Sequence, residues 1–452
     1  MLTATNPLLD FSGLPRFEAF KPEYVSPAID ELLAANRASI AGLIADCSAP
    51  TWNNFVAPLE SAAERLNRAW GQVSHLNAVM NSPELREVYN ANLPKITQYY
   101  TELGQNEGLF GKFRQLKAAP YFAQLARAQR AIVEHELRDF RLGGAELKAD
   151  KKARFTEIRE KLSFLSSRFS DNLLDATNAF AHTVENEQGI SGIPADVLQT
   201  AREAAQRDGK PGWKFTLHAP AYMPVMQYAD DRTLRELMYR AYSTRASEFG
   251  KAEWDNSNLI TEIVALRREL AQLLGFANYA EYSLEAKMAE SPVHVLKFLN
   301  ELAAKAKPYG ERDLAELKAF AQDNLGLAGL EAWDIAYVSE KLRTARYSYS
   351  DQEVKQYFPE TSVLPGMFRV VETLYGLKIA PETTAKWHPD VRFFSIRDQD
   401  DQIIGRFYLD LYARPSKRGG AWMDDAITRR RVTGGIQTPV AYLNCNFAAG
   451  TQ

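Results

Sequence analysis

Six histidines are the residues of this chain best suited to metal or proton chemistry: His75, His135, His182, His218, His294 and His388. No two of them lie within four positions of each other. The spacing matters because an H-E-x-x-H run puts two imidazoles one helical turn apart, aims both at one Zn²⁺ and leaves the Glu between them as general base. The chain contains no such run. Its nearest approach is His135-Glu136-Leu137-Arg138-Asp139, where Asp stands at the second His position. No G-x-S-x-G, P-loop or dinucleotide glycine pattern occurs, and Gly419-Gly420 and Gly434-Gly435 are too sparse to cradle a phosphate. The residues by themselves nominate no catalytic group, no cofactor-binding group and no metal ligand. Each His is expected at a solvent-facing or core-edge position. His182 and His294 fall in helical patterns, and His218 ends a short strand, half exposed.

Three polar or glycine-rich constellations remain. Asp410, Tyr412 and Arg414 alternate along the end of an apolar run, which reads as a charge pair supporting a sheet. Gly419-Gly420-Ala421-Trp422-Met423 follows Lys417-Arg418 and reads as a tight turn in which the Gly pair supplies positive φ and Trp422 enters the core. A loop near a substrate channel is the functional alternative for it. The run Val440 to Asn444 contains β-favouring residues behind Pro439, so it is expected at a sheet edge or a bulge. There it could add hydrogen bonds to an extended peptide.

The elements that must position these residues are mostly helical. Apolar residues recur every three or four positions from Phe155 through Ile158, Leu162, Leu165, Phe169, Leu173, Ala176 and Phe180 to Val184, which predicts one helix of roughly 35 residues. Shorter helices are expected over Pro27–Ala45, Phe55–Val79, Leu85–Leu103, Phe122–Phe140 and Asp255–Leu274, with a long one over Pro292–Leu325. Ser291 before Pro292 is a polar cap followed by Pro at the first helical position. Trp213–His218 reads as a short strand. After about Gly376 the character turns to β. Val391–Ile396 and Ile403–Leu411 flank Asp398-Gln399-Asp400-Asp401 as an antiparallel hairpin, and Ile436–Asn444 reads as a third strand. The expected fold is mostly α: a large body of long antiparallel helices with a small antiparallel sheet near the C-terminus. It divides into an N-terminal helical region (1–187), a helical body (188–375) and a small β-rich region (376–452).

Composition narrows the partners. Apolar residues make up 46% and charged residues 25%, both ordinary for a globular chain, and the formal net charge is −3. The densest basic run, Arg429-Arg430-Arg431, sits beside Asp424 and Asp425, so no nucleic-acid surface is expected. The two cysteines, Cys47 and Cys445, exclude a disulfide framework and fit a reducing compartment. Met1 to Asp10 shows neither a basic n-region nor an apolar h-region, and no apolar run reaches membrane-span length. A cytoplasmic monomer that binds no membrane is expected.

Five segments in order resemble one family. They are Leu142–Leu147 leading into Leu162–Thr177; Ala265–Leu284 followed by Lys287-Met288-Ala289; Trp333-Asp334 through Tyr349-Ser350 to Gln356-Tyr357-Phe358-Pro359; Gly405–Met423; and Pro439–Phe447. Together they resemble the thimet oligopeptidase and oligopeptidase A family of zinc metallopeptidases, with wording most similar to the bacterial oligopeptidase A branch. The resemblance implies a two-lobed helical body around a deep channel that admits extended chains. It also implies zinc-dependent endopeptidase activity on short unfolded peptides. In such families an H-E-x-x-H helix follows shortly after the last segment, with a third Glu ligand and substrate-holding His and Tyr residues later. None of those positions occurs here, so no zinc ligand, base or oxyanion-stabilising residue is carried over. The expectation is an incomplete catalytic domain, truncated before the zinc helix, with these residues channel wall. Alone it would bind no zinc and be inactive. The alternative is a non-catalytic helical protein that binds peptides or partner helices.

Overall fold

The computed structural model describes residues 6–432 and 434–448. Residues 1–5 and 449–452, both weighed in the sequence, lie outside the described residues. The chain opens with six helices: α1 (Val25–Ala45), α2 (Ala57–Val79), α3 (Pro83–Gly104), α4 (Glu107–Ala118), α5 (Arg127–Leu142) and α6 (Ala149–Ala179). Their starts follow local chemistry. The Leu85 N–H donates to Ser82 Oγ at 3.2 Å and Pro83 takes the first position of α3, while Asn106 Oδ1 caps α4 from 2.9 Å. The α4 helix was not expected, and the Phe122–Phe140 pattern splits into a 3₁₀ turn before α5.

The predicted 35-residue helix ends early. The α6 helix runs for 31 residues, Phe180 turns extended, and β1 (Ala181–Val184) pairs antiparallel with β2 (Trp213–Thr216). Tertiary burial overrides the helical period here. Pairing sends Val184, Trp213 and Phe215 into a separate core with Tyr222, Val225 and Met238. Gly212 makes the pairing possible: its φ is +81°, and a Cβ there would sit 2.2 Å from the Val184 carbonyl oxygen. His182 therefore lies on a strand, not on the expected helix.

Between β1 and β2 lies α7 (Ala195–Arg207), and α8 (Ala219–Tyr228), α9 (Arg232–Ser243), α10 (Ser257–Leu273), α11 (Tyr279–Leu284), α12 (Pro292–Leu325), α13 (Ile335–Tyr347), α14 (Asp351–Lys355) and α15 (Glu360–Tyr375) follow β2. The α12 bounds match the sequence expectation, with Ser291 Oγ accepting from the His294 N–H and Gly326 closing the helix at φ 66°. An ion triad, with Arg235 and Asp334 buried and Arg232 exposed, ties α9 to the start of α13. Arg235 Nη2 lies 2.8 Å from Asp334 Oδ1, and Arg232 Nη2 lies 2.6 Å from Oδ2.

The sheet comprises β3 (Lys378–Pro381), β4 (Arg392–Arg397), β5 (Ile403–Tyr412), β6 (Trp422–Ile427) and, after the small hairpin of β7 (Arg430–Val432) and β8 (Gly435–Gln437), β9 (Val440–Phe447). Its order is β3-β4-β5-β9-β6. The β4–β5 hairpin forms as expected. Two expectations change. The Ile436–Asn444 run is broken at Thr438-Pro439 into β8 and β9, because Pro439 has no N–H for a ladder. Its carbonyl still accepts from the Arg406 N–H at 2.9 Å. And β9 is internal: it pairs parallel with β5 and antiparallel with β6, so the sheet is mixed. Alternation then buries both faces of β9. Val440 and Tyr442 join Phe393 and Tyr408 against the N-terminal helices, while Ala441, Leu443 and Cys445 face the layer of Phe394, Phe407 and Leu409 with Phe368 of α15.

Candidate functional site

The site is built around the loop Ala413–Ala421 and the strand it launches. Asp410, near the end of β5, is fully buried. Arg414 donates to both of its oxygens, at 2.8 and 2.6 Å, Lys417 Nζ donates to Oδ1 at 2.8 Å, and Trp387 Nε1 donates to Oδ2 at 3.0 Å. Lys417 spends its other donors on the carbonyls of Asp410 and Tyr412, each at 3.0 Å. Burial pushes the Asp410 carboxyl up, but the hydrogen bonds and charges of Arg414 and Lys417 outweigh it and hold the group below the usual carboxylate range. Arg414 pairs as the alternation predicted. Tyr412 instead turns to Glu360 of α15, which also pairs with Arg392.

The rest of the loop is tied to three helix and strand ends. Arg414 Nε donates to the Val79 carbonyl at 3.0 Å and the Arg418 N–H to Ala78 at 2.8 Å, both at the end of α2. Asn178 of α6 donates to the Pro415 carbonyl at 3.1 Å, and Asn446 of β9 donates to Arg418 and Gly420 carbonyls at 2.9 and 2.6 Å. Gly420 takes φ +101°, as the Gly pair suggested, but Trp422 does not enter the core. It is half-buried at the first position of β6, and Met423 beside it is 62% exposed.

That makes β6, not β9, the open strand on this side: among the described residues no strand pairs with its outer edge. Asp424 and Asp425 are exposed along it. Helix α2 runs alongside, its side-chain-free Gly71 standing opposite the Asp425 carbonyl. At the loop end, Arg418 is exposed; burial pushes Asp171, Tyr89 and Asp424 up, opposed chiefly by Arg86 at Asp171, Ser74 at Tyr89 and Trp422 at Asp424, with a smaller pull from Arg418 on each. Asp171 and Asn90 also line a groove of about 330 Å³ between α3 and α6, floored by Leu93, Pro94 and Phe164. An extended strand edge with acidic side chains, an exposed Arg and a neighbouring groove can hold an extended chain. Sequence reasoning missed β6 because its residues, Trp422-Met423-Asp424-Asp425-Ala426-Ile427, do not alternate cleanly. The usable signal was the tight turn just before them.

The histidines do not converge. His75 departs most from expectation: it is 2% exposed, stacked on Tyr442 with ring centroids 3.7 Å apart and edged by Trp387 at 4.3 Å. Burial drives it down to about 3, Asp410 opposing and Arg414 and Lys417 assisting. It is thus a neutral aromatic of the core. Its ring lies beside the Asp410 network, so the aromatic packing and the loop share one wall. His218 is half-buried with Nε2 3.1 Å from Asn178 Oδ1. His294 lies 3.5 Å from Glu290, His388 lies 3.5 Å from Asp390, and His135 is exposed on α5. Next to it, burial and then Glu60 push the Glu136 carboxyl up to about 7. Among the described residues no three His, Cys, Asp or Glu side chains are grouped to hold a metal ion. None of the described residues is therefore assigned as a zinc ligand.

Comparison with known proteins gives a consistent picture. Residues 225–452 match the model of peptidase family M3, and residues 29–152 match the neurolysin/thimet oligopeptidase N-terminal domain. Over 452 residues, 99% of the chain, it is 47% identical to oligopeptidase A of Haemophilus influenzae, of which it spans 66%. Oligopeptidase A of Escherichia coli is 47% identical over 447 residues, 98% of the chain and 66% of that protein. The organellar oligopeptidase A of Arabidopsis thaliana is 36% identical over 98% of the chain and 57% of its own length. A solved oligoendopeptidase F structure shares the fold at a TM-score of 0.50 and 15% identity, covering 96% of this chain and 60% of that one.

Proposed function

The chain belongs to peptidase family M3, and from that membership we propose that the protein is a zinc-dependent endopeptidase acting on short, unfolded peptides in the cytoplasm. The observation that carries the substrate class is the open edge of β6 beside α2 and Arg418. A strand edge binds through backbone N–H and C=O groups, so it accepts many sequences and asks only that the ligand be extended. Folded proteins have spent those groups internally and are excluded. The cytoplasmic assignment rests on cysteine usage: Cys47 and Cys445 are both free.

Zinc would polarise the attacking water and the scissile carbonyl in such an enzyme. The described residues offer no fitting ligand set, so no catalytic step is assigned to any of them. Their role is to hold peptide, and these 452 residues do not cleave it alone. A second reading is a non-catalytic peptide-binding protein, which the same open β6 edge would also serve.

One experiment separates the two. The purified chain is assayed on a quenched fluorescent oligopeptide with added zinc, alone and joined after Phe447 to the remaining C-terminal part of a bacterial oligopeptidase A. The enzyme reading predicts no turnover by the chain alone and chelator-sensitive cleavage by the fusion. A folded fusion with stoichiometric zinc and no cleavage would favour the binding protein. Chelator-sensitive turnover by the chain alone would overturn the division of labour.

A further inference from the structure

We propose that Asp410 is a positioning residue for peptide docking: through Arg414 and Lys417 it fixes the Ala413–Ala421 loop and thereby the outer edge of β6. The inference rests on the docking reading above. Its first support is alignment. Asp410 of β5 pairs in register with Asn444 of β9, and Asn444 pairs with Trp422, so Asp410 lies in the same cross-sheet row as the first residue of the edge strand.

The second support is the donor geometry. The Lys417 and Asp410 side chains are fully buried, and all the acceptors of Lys417 are the Asp410 carboxylate or the carbonyls of residues 410 and 412. Arg414 uses its fork on Asp410 and its Nε on the end of α2. One carboxylate therefore holds two cations, and those cations pin β5 and α2 to the same loop. Directional donors fix position in a way methyl groups cannot.

The third support is energetic. A buried cluster of two cations and one anion is a poor device for stability alone, since apolar side chains of similar volume commonly serve as well. What the cluster supplies is a defined path for the chain. The loop passes through left-handed Gly420 and reaches Trp422 already in register with β9.

The test uses the full chain and a fluorescein-labelled ten-residue peptide of alternating Thr and Lys, extended, its Lys residues on one face to meet Asp424 or, one residue along, Asp425, followed by anisotropy. Asp410→Asn is expected to weaken binding at least tenfold and to speed hydrogen exchange across 413–425 while α6 stays protected. Asp410→Asn with Lys417→Met brings the cluster back from two uncompensated cations to the single excess positive charge of the wild type. It should recover thermal stability yet still bind at least tenfold more weakly than wild type, because the loop remains unclamped. If affinity returns together with stability in the double variant, Asp410 serves stability only and the proposal is overturned. Wild-type affinity in folded Asp410→Asn overturns it too. No binding by the wild-type chain itself fells the docking reading first and this inference with it, which distinguishes the two failures.

Discussion

His75 shows what a single residue type does and does not reveal. The sequence offers an imidazole; the fold seals it among Tyr442, Trp387 and Phe17, where its charged form is disfavoured. Its folded pKa of about 3 lies below the ordinary value near 6.5, so between those values the unfolded chain binds more protons. Stability is complete above about pH 6.5 and is lost as pH falls toward 3. Comparing wild type with His75→Phe in urea unfolding at pH 4.5, 5.5 and 7.5, the wild type should lose about 1.4 kcal/mol per pH unit relative to the variant below pH 6. Above pH 7 the gap between the two should stay constant. Parallel pH profiles would mean His75 is charged or exposed in the folded state. Nothing in the spacing of His75 foretold its burial, because its partners come from β9 and the loop before β4, hundreds of residues away, and from the N-terminal turn at Phe17. Asp410 and Arg414 were legible because both partners lie within four positions on one strand end.

Elements were legible where one local period decided them. The α12 helix carries its cap Ser291 and its first-turn Pro292 side by side and Gly326 directly after its last residue, and its bounds follow directly. Where distant pairing decided, local pattern failed: Ala181–Val184 left the helix for β2, and β9 became internal because β6 covers the side that Pro439 suggested was open. Joints between elements rest on buried charge. Asp334 is fully buried and pairs with Arg235, itself 1% exposed, so Asp334→Asn leaves a buried guanidinium without its counter-charge. The expected cost is about 3–5 kcal/mol, read as a lowered urea midpoint. Asp30→Asn is the control: its partner Lys95 stands in solvent, and the midpoint should barely move. Equal effects from the two would mean the α9–α13 joint contributes nothing particular.

At the scale of the molecule, the sheet is the common floor. One face packs on α2 and the N-terminal turn at Phe17, the other on α15, and its β6 edge runs beside α2. No helix among the described residues is long and apolar enough to cross a membrane. The exposed apolar residues of α12, including Val293, Leu296, Phe298 and Leu299, do not contribute to this floor. The family was legible from motif wording in five segments, because strand ends and tight turns keep residue types that the backbone demands. The docking edge was not, since an edge is a property of the whole sheet. The central claim is that extended peptide adds to β6. Hydrogen exchange with and without saturating alternating Thr-Lys decapeptide tests it most directly. The account predicts slowed exchange across Trp422–Ile427, none at β3 on the opposite edge, and loss of the effect when the peptide backbone is N-methylated at alternate residues. Unchanged exchange at β6 under saturating peptide, or equal protection from the N-methylated peptide, would contradict it.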